Sequence, residues 1–385
     1  MKVIGLISGT SVDGIDAALV EITGTEYDLS VRLIHGETYS YDEAIRDQLL
    51  AIALGKSITL DALAALDDAV ANAFGQAAIR LQSGQSEGDR AGLIGSHGQT
   101  VFHRPAQPGA LGYSLQLGRG DSIAKIAGLP TVYNFRAADI ARGGQGAPLV
   151  PPIDACLLGD QSRDRCVQNI GGISNATYLP AKGDIATQPW LAQILGWDTG
   201  PGNSLIDLAV ARFSQGELSY DAQGAWAAQG EPRAALVEAW LQDDYFQQLP
   251  PKSTGREWFG AAFLQRCLDQ GQARQLAEAD LLASLTDFTA AAIVQEYARY
   301  LPKIPDQVLL CGGGSRNLYL RERLRARLPS AEIITTDDCG LSVTFKEAIA
   351  FAVLAYWRWH GVPSNLPKVT GAANRVSLGE ICLFN

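Results

Sequence analysis

The chain has 385 residues, a formal net charge of −10, 47% hydrophobic residues and 40 glycines. This length is too great for one compact core, so we expect two domains. The acidic balance argues against a nucleic-acid-binding protein and against a basic protein of the membrane surface. The composition is typical of globular α/β enzymes.

The N-terminal residues and the cysteines indicate the cellular compartment of the protein. Residues 1–7 are too short an apolar stretch for a signal peptide, and the longest apolar run, 348–357, is about half of a bilayer span. The six cysteines are scattered without a C-x-x-C pair, so we expect neither a zinc site nor a disulfide framework. The sequence therefore predicts a soluble, cytoplasmic protein with no membrane partner.

Two predicted β-hairpins carry Gly- and Ser-rich tips. Strands over 3–8 and 15–22 flank the first tip, and strands over 166–170 and 176–179 flank the second. The tips consist of Gly9, Thr10, Ser11, Val12, Asp13 and Gly14, and of Gly171, Gly172, Ile173, Ser174 and Asn175. The first has P-loop spacing, but Ile15 and Asp16 stand where Lys and Ser or Thr would follow. Backbone N–H groups at such tips can form a nest around a phosphate, although plain hairpin turns remain the alternative. A pair of them, one in each half of the chain, predicts a duplicated fold.

Three basic side chains lie at or after the ends of predicted strands in the first half. After a buried strand over 91–95, His97 can bind a sugar hydroxyl or a carboxylate, or it can be an ordinary hydrogen-bonded loop residue. A second strand over 131–136 leads into the glycine-rich loop 137–148, our candidate for a domain crossover. Arg136 and Arg142 can hold an anionic group bidentately, or they can be solvated surface residues.

At mid-sequence one carboxylate precedes a turn-forming run. Asp198 is followed by Thr199 and then by Gly200-Pro201-Gly202-Asn203, a run that we expect neither a helix nor a strand to include. An amphipathic helix begins after it, capped by Asn203 or Ser204. Because backbone N–H groups at a helix start attract anions, Asp198 is a candidate catalytic base beside a phosphate. The alternative is an aspartate in an ordinary loop.

The second half is more helical. Helices are predicted over 234–241, 258–268 and 281–301, with a polar loop over 250–256 as a mobile rim. A buried strand over 307–311 leads into Gly312-Gly313-Gly314 and a basic helix, a pattern typical of close backbone approach to the adenosine end of a nucleotide.

The C-terminal part carries one more candidate site residue. Glu347 opens an apolar helix over 348–359, either as a substrate contact or as part of a Thr-x-x-Glu capping box. The tail beyond 364 predicts a return strand over 375–381 to the first domain.

Seven short motifs occur in an order that resembles the anhydro-N-acetylmuramic acid kinase family. In chain order they are Ser8–Asp16, Ser96–Thr100, Asn169–Asn175, Asp198–Asn203, Gly312–Gly314, Lys346–Ala348 and Val369–Ala372. The family belongs to the acetate and sugar kinase/heat-shock 70/actin superfamily. The resemblance implies an α/β fold of two ribonuclease-H-like domains, each a mixed sheet flanked by helices, with a central cleft for ATP and sugar. We expect 1–136 plus 364–385 to form the first domain and 137–363 the second.

The resemblance also implies a reaction. ATP, water and 1,6-anhydro-N-acetylmuramic acid would give N-acetylmuramic acid 6-phosphate and ADP, a step in peptidoglycan recycling. Asp198 would activate the water. The ATP-binding residues would be Gly9, Thr10, Ser11, Val12, Asp13, Gly14, Ile15, Asp16, Asn169, Gly171, Gly172, Gly312, Gly313 and Gly314. The sugar-binding residues would be His97, Arg136, Thr199 and Glu347. Asp13 or Asp16 would be an outer-sphere partner of Mg²⁺, and the protein would be a homodimer.

The sequence leaves three alternative functions. One is a non-kinase ATPase of the same superfamily, although no surplus segment for a partner is visible. Another is a glycoside hydrolase that uses Asp198 and Glu347 as its carboxylate pair, which leaves both hairpin tips unexplained. The third is a kinase of another anhydrosugar such as levoglucosan. The lactyl carboxylate of the muramic substrate should demand an anion contact, which Arg136 or Arg142 can supply.

Overall fold

The computed structural model describes residues 1–9, 11–53, 55–107, 109–184 and 187–384, and the chain divides into two compact units. Unit 1 comprises Met1–Leu157 and Phe345–Asn385, and unit 2 comprises Leu158–Thr344. In the described ranges no helix combines the length and the apolar character that a membrane span requires.

The elements alternate along the chain. The strands are β1 (Lys2–Ser8), β2 (Ile15–Thr25), β3 (Asp28–Tyr39), β4 (Leu93–Arg104), β5 (Tyr113–Leu117), β6 (Thr131–Tyr133), β7 (Arg165–Ile170), β8 (Ile173–Leu179), β9 (Leu195–Pro201), β10 (Gln307–Cys311), β11 (Glu332–Thr335) and β12 (Glu380–Cys382). The helices are α1 (Glu43–Ala53), α2 (Leu60–Gln82), α3 (Gly120–Ala127), α4 (Ala137–Ile140), α5 (Pro151–Leu158), α6 (Thr187–Leu191), α7 (Ser204–Phe213), α8 (Ala234–Trp240), α9 (Ala261–Gln272), α10 (Glu278–Tyr300), α11 (Leu318–Arg327), α12 (Lys346–Trp359) and α13 (Pro367–Thr370).

Each unit contains one mixed sheet with the same core order. In unit 1 the order is β12-β6-β4-β1-β2-β3, with β5 paired to β4, and in unit 2 it is β11-β10-β7-β8-β9. The first three core strands of each unit are antiparallel, and the next two lie parallel beside the first. The predicted duplicated ribonuclease-H-like fold is therefore confirmed.

Helices pack on both faces of the unit 1 sheet, and the side chains of β1 point alternately to these two faces. Ile4 and Leu6 are fully buried in the core cluster that includes residues of α2. Between them Gly5 faces α12, where an added Cβ would lie 1.7 Å from the carbonyl oxygen of Ala348. Its neighbour Gly95 on β4 meets α12 in the same way. Because neither glycine has a side chain, α12 packs directly on the sheet.

Helix α10 supports unit 2. It is buried along most of its length, with Phe288 in one apolar cluster and Tyr297 in another. Its Thr289 hydroxyl donates to the carbonyl of Gly202 at 2.8 Å. The helix thus fixes the turn that follows β9.

Most predicted helices are confirmed, but the predicted turn at Asp198 and the predicted C-terminal return strand were wrong. Asp198 and the residues up to Pro201 lie in β9, not in a turn. A strand can include Pro201 because β9 is an edge strand, where proline costs no ladder hydrogen bond. Of the return strand predicted over 375–381, residues 375–379 are not in a strand and β12 begins at Glu380. Gly379 has φ +96°, and the Val376 N–H donates to the Asn365 side chain at 2.7 Å.

The chain passes from unit 1 to unit 2 between residues 157 and 158, and it returns to unit 1 between residues 344 and 345. The sequence suggested domain boundaries at 136/137 and 363/364. The glycine-rich loop after Arg136 stays with unit 1 because it bonds to the C-terminal segment. The Gln145 N–H donates to the carbonyl of Thr370 at 2.7 Å, and the Ala373 N–H donates to that of Arg142 at 2.8 Å. Helix α12 also belongs to unit 1 through its packing on β1 and β4.

Candidate active site

The hairpin tip of unit 1 is a compact turn fixed from inside. Val12 is buried with φ +54°, and its N–H donates to the carbonyl of Gly9 at 3.2 Å. Ser11 and Asp13 are exposed, and the Ser11 hydroxyl donates to the Asp13 carboxylate at 2.8 Å. Thr10, which we assigned to the ATP site, lies outside the described residues. The described part of this tip therefore turns its polar side chains towards solvent.

Asp16 is the second residue of β2, beside this tip. Its Oδ1 accepts the Thr38 hydroxyl at 2.6 Å. Burial raises the pKa of Asp16, the Thr38 hydrogen bond opposes this, and the neighbouring Asp13 charge adds to it. Among the described residues no group of three or more His, Cys, Asp or Glu side chains is arranged to hold a metal ion. A cation here would need ligands from a bound molecule or water.

In unit 2 three glycine turns meet. The tip between β7 and β8 receives the turn after β9, because the N–H groups of Gly202 and Asn203 donate to the carbonyls of Gly172 and Gly171 at 2.9 and 2.8 Å. A Cβ on Gly202 would lie 2.3 Å from the Gly171 oxygen, so only glycine fits. The predicted side-chain cap by Asn203 is not formed; its Nδ2 instead donates to the Ile170 carbonyl at 3.3 Å.

The third turn, after β10, packs against the same tip. Gly312 has φ +75°, and its Cβ would lie 2.4 Å from Asn169 Oδ1. Gly313 is exposed, with nothing nearer to its Cβ position than the Asn203 side chain at 4.0 Å. β7 and β10 are parallel, and their carboxyl ends carry these turns. Ligands of α/β sheets bind at this edge, so Gly313 lies where a ligand can approach the backbone.

Asp198 is held by backbone groups of a distant loop. Its N–H donates to the Lys252 carbonyl at 3.1 Å, and its Oδ2 accepts the Thr254 N–H at 2.9 Å. Its carbonyl accepts the Tyr245 hydroxyl at 2.6 Å. The loop that we predicted as a mobile rim thus covers the free edge of β9 and orients the carboxylate. Sequence reasoning missed both loop residues because their partner lies more than 50 positions away.

The electrostatics suit a base that works near neutral pH. Burial raises the pKa of Asp198 to about 7; the Thr254 hydrogen bond lowers it and the negative charge of Glu257 raises it. A carboxylate with this pKa exchanges protons readily at pH 7, which is the requirement for general-base catalysis.

A buried ion pair anchors the same loop. Lys252 Nζ lies 2.9 Å from Glu296 Oε1, and the two side chains are 2% and 0% exposed. Glu296 Oε2 accepts the Trp197 indole N–H at 2.9 Å. Lys252 also lies over the Tyr245 ring, 4.6 Å from its centroid. The pair ties the loop to α10 on one side of Asp198.

Thr199 does not share the surroundings of Asp198. It is the extra residue of a β-bulge, between the Ser174–Gly200 and Asn175–Asp198 pairs. Its side chain is fully buried, 2.7 Å from the Ser174 hydroxyl, and accepts from Gln168 at 3.2 Å. Bulges re-aim neighbouring side chains. The structure therefore gives the Thr199 side chain a partner set inside the sheet.

In unit 1 the predicted sugar residues His97 and Arg136 are in contact. Both Nε and Nη2 of Arg136 lie within hydrogen-bond distance of His97 Nε2, at 3.2 and 2.8 Å, and Nη1 donates to the Gly146 carbonyl at 2.6 Å. The imidazole is 6% exposed, and its Nδ1 lies 3.1 Å from the Gly98 carbonyl. Nδ1 is then the donor and Nε2 the acceptor.

Charge supports this assignment of roles. Burial and the nearby Arg136 charge hold the pKa of His97 well below its usual range, so the imidazole is neutral. Burial lowers the pKa of Arg136 to about 10, against the opposing effect of Glu347 and Asp139. Within the described ranges no carboxylate forms an ion pair with Arg136. A largely buried guanidinium without a paired anion is suited to bind an anionic group.

Glu347 lies in the first turn of α12, whose N-cap is Phe345. The helix thus starts one residue later than the Thr-x-x-Glu capping box requires. Glu347 is exposed as a residue, but partial desolvation of its carboxyl group raises the pKa above its usual range. The charge of Lys346 opposes this, and that of Asp16 adds to it. The side chain is accessible for a ligand.

The whole chain is similar to proteins of one known family. The model of the family described as anhydro-N-acetylmuramic acid kinase matches residues 1–383. Proteins of that name from Acaryochloris marina and Microcystis aeruginosa are 60% and 58% identical to this chain over 383 and 382 residues, covering 99–100% of both chains in each case. Among solved structures, component A of (R)-2-hydroxyglutaryl-CoA dehydratase from Acidaminococcus fermentans has a TM-score of 0.47 at 11% identity, covering 92% of this chain and 98% of its own. An ROK-family glucokinase from Streptomyces griseus in complex with glucose and AMPPNP has a TM-score of 0.39 at 14% identity, covering 92% and 99%.

Proposed function

Because the chain belongs to the anhydro-N-acetylmuramic acid kinase family, we propose that it phosphorylates 1,6-anhydro-N-acetylmuramic acid with ATP. Water opens the 1,6-anhydro bond and the freed 6-oxygen takes the γ-phosphoryl group, giving N-acetylmuramic acid 6-phosphate and ADP. The reaction returns a cell-wall sugar to metabolism, and we place it in the cytoplasm.

The observation that carries the proposal is the state of Asp198. Its carboxylate is oriented by the Thr254 N–H, and its pKa is about 7. In the reaction it takes a proton from water as the water oxygen bonds to the anomeric carbon. The bond from that carbon to the 6-oxygen breaks, and this oxygen bonds to the γ-phosphorus as ADP leaves. A positioned base contributes about 10²–10⁴-fold to such a step.

The glycine turns are our proposed ATP site. The backbone of Gly9–Asp16 binds the phosphates, and the exposed Gly313 in the Gly312–Gly314 turn lies near the adenosine. Asn169, Gly171 and Gly172 line the neighbouring tip. Phosphoryl transfer depends mainly on positioning and charge neutralisation, which such loops supply without a covalent nucleophile.

Kinases of this kind use Mg²⁺, which neutralises the phosphate charge. Asp13 is exposed, and among the described residues the Asp16 carboxylate accepts the Thr38 hydroxyl through Oδ1. Mg²⁺ commonly keeps several waters and binds through phosphates and one or two carboxylates. These two side chains fit an outer-sphere role, with water between the carboxylate and the ion.

Arg136 is our proposed contact for the lactyl carboxylate of the sugar. Of the five N–H hydrogens of a guanidinium, the contacts of Arg136 with the described residues use three, one each on Nε, Nη1 and Nη2. One hydrogen on each terminal nitrogen remains, which is the bidentate pattern that a carboxylate accepts. His97 then acts by holding Arg136, and Glu347 supplies an accessible carboxylate for a sugar hydroxyl. The buried Thr199 side chain supports the strand beneath Asp198.

The test is an ADP-release assay with 1,6-anhydro-N-acetylmuramic acid, with levoglucosan and without sugar. We expect release to depend on the muramic sugar, and levoglucosan, which lacks the carboxylate, to be a poor substrate. Equal ADP release with and without sugar would mean that the protein is not a sugar kinase. The homodimer implied by the resemblance is a separate prediction, for analytical ultracentrifugation.

A further inference from the structure

The loop that follows Arg136 closes on one buried carboxylate in unit 1. Asp139 is 0% exposed, and its Oδ2 accepts the Gly146 N–H at 2.9 Å. Its Oδ1 accepts the Thr370 hydroxyl at 2.7 Å and the Asn365 side-chain amide at 2.8 Å. Three donors thus satisfy one carboxylate, two of them from the C-terminal segment.

The proposed reaction gives no role to the C-terminal motif Val369–Ala372. In the structure this motif lies beneath the loop: the carbonyl of Thr370 accepts the Gln145 N–H at 2.7 Å while its hydroxyl binds Asp139. Gly144 leaves room for the carboxylate, since an added Cβ would lie 2.1 Å from Asp139 Oδ2. The motif and the loop are built to fit each other.

The connection to Arg136 runs through Gly146. The N–H of Gly146 is held by Asp139, and its carbonyl accepts Arg136 Nη1 at 2.6 Å. On the other side the guanidinium is held by His97. These two supports fix both the position and the plane of the guanidinium, because a planar group held at two edges cannot rotate freely.

We propose that Thr370 and Asp139 are positioning residues, which set the two unused N–H groups of Arg136 for a carboxylate on the substrate. The inference rests on the proposed function, in which Arg136 contacts the lactyl carboxylate. Thr370 acts through Asp139 and Gly146 and touches no substrate. Bidentate recognition depends strongly on geometry, so a small displacement of Gly146 weakens binding of the carboxylate in particular.

The experiment compares Thr370→Val with wild type on two sugars, 1,6-anhydro-N-acetylmuramic acid and its methyl ester. In wild type we expect a lower KM for the acid than for the ester. In Thr370→Val we expect the KM for the acid to rise about tenfold, the loss typical of one hydrogen bond to a charged group. The KM for the ester, the kcat at saturating acid and the KM for ATP should stay within about twofold.

Three variants serve as controls. Thr370→Ser restores the hydroxyl and should restore the low KM for the acid. Thr286→Val makes the same change at a buried threonine whose hydroxyl has no hydrogen-bond partner among the described residues, and it should leave both sugars unaffected. If Thr370→Val does not fold, Thr370→Cys, which keeps a small side chain with a weak donor, replaces it in the comparison.

The outcomes separate this inference from the proposed function. If wild type and Arg136→Lys both fail to distinguish acid from ester, the carboxylate contact of the proposed function is wrong. If Arg136→Lys loses the discrimination but Thr370→Val keeps it, Thr370 does not position Arg136 and the inference is wrong. An equal rise of KM for acid and ester in Thr370→Val would indicate a purely structural role and would also overturn it.

Discussion

The buried Lys252–Glu296 pair allows a quantitative test of how the loop beside Asp198 is held. Lys252→Met keeps the aliphatic stem and removes the ammonium, leaving a carboxylate in a site that is 0% exposed. Breaking a buried pair from one side costs about 3–5 kcal/mol. Because Glu296 keeps the hydrogen bond from Trp197, we expect the lower end, a loss of about 3 kcal/mol in the free energy of unfolding at pH 8.

The loss should depend on pH in a definite direction. Burial already raises the pKa of Glu296, and Lys252 opposes that rise, so removal of Lys252 raises the pKa further. A folded-state pKa above the unfolded value means that the folded protein binds the proton more tightly. The destabilisation is therefore complete above the folded-state pKa and shrinks as the pH falls towards the unfolded value. Urea unfolding followed by circular dichroism at pH 8 and pH 5 measures both quantities.

Two matched variants show whether burial is the cause. Arg32→Met removes one partner of an exposed pair, since Arg32 and Glu21 are 63% and 36% exposed, and it should cost less than about 1 kcal/mol. Lys252→Met combined with Glu296→Gln removes the charge and keeps an acceptor for Trp197, so most of the stability should return. A loss as small as that of Arg32→Met, or one that is the same at pH 8 and pH 5, would refute the reasoning.

Four further predictions concern the site. Asp198→Asn should lower kcat by about 10²–10⁴-fold while calorimetry shows unchanged ATP affinity, and near-normal turnover would remove Asp198 as the base. The same variant should raise the free energy of unfolding by about 1–2 kcal/mol at pH 8, an effect that disappears towards pH 4, because burial raises the pKa of Asp198 in the folded state. In wild type, kcat/KM should rise with pH through about 7 and then level off, as a pH–rate profile would show. Gly202→Ala should reduce turnover at least tenfold and lower the melting temperature, since its Cβ would lie 2.3 Å from the Gly171 oxygen; wild-type values would contradict the close approach.

The duplicated fold could be predicted because its signals are local. A β-hairpin with a Gly-rich tip is specified by adjacent residues, and two of them mark the first two strands of each sheet. Helical periodicity likewise gave α8 and α10 to within a few residues of their observed ends. Gly312 and Gly314 could be singled out because close packing excludes other residue types there, whereas a Cβ on Gly171, Gly172 or Gly313 would meet no atom nearer than 3.5 Å.

The surroundings of the candidate base could not be predicted because they depend on contacts between distant residues. Asp198 was expected in a turn, since Gly200 and Pro201 normally interrupt strands. The edge position of β9, the bulge at Thr199 and the Lys252 loop make a strand possible there, and each depends on partners that no local pattern reveals. The same holds for His97, whose role in holding Arg136 follows from a contact across 39 residues.

The stiffness around Asp198 and its raised pKa have a common physical origin. A carboxylate with a pKa of about 7 is poorly solvated, and its charged form would be stabilised by moving towards water or towards a cation. In this chain the Asp198 backbone is bonded on both sides, to β8 through the sheet and to the Lys252 carbonyl at the outer edge. The ammonium of Lys252 is paired with Glu296, and it is not among the groups that shift the pKa of Asp198. The Lys252–Glu296 pair thus anchors the loop without adding a net charge beside Asp198. A neutral, well-packed replacement of both partners should therefore preserve the pH profile of kcat/KM. Lys252→Met alone should lower the stability of the fold.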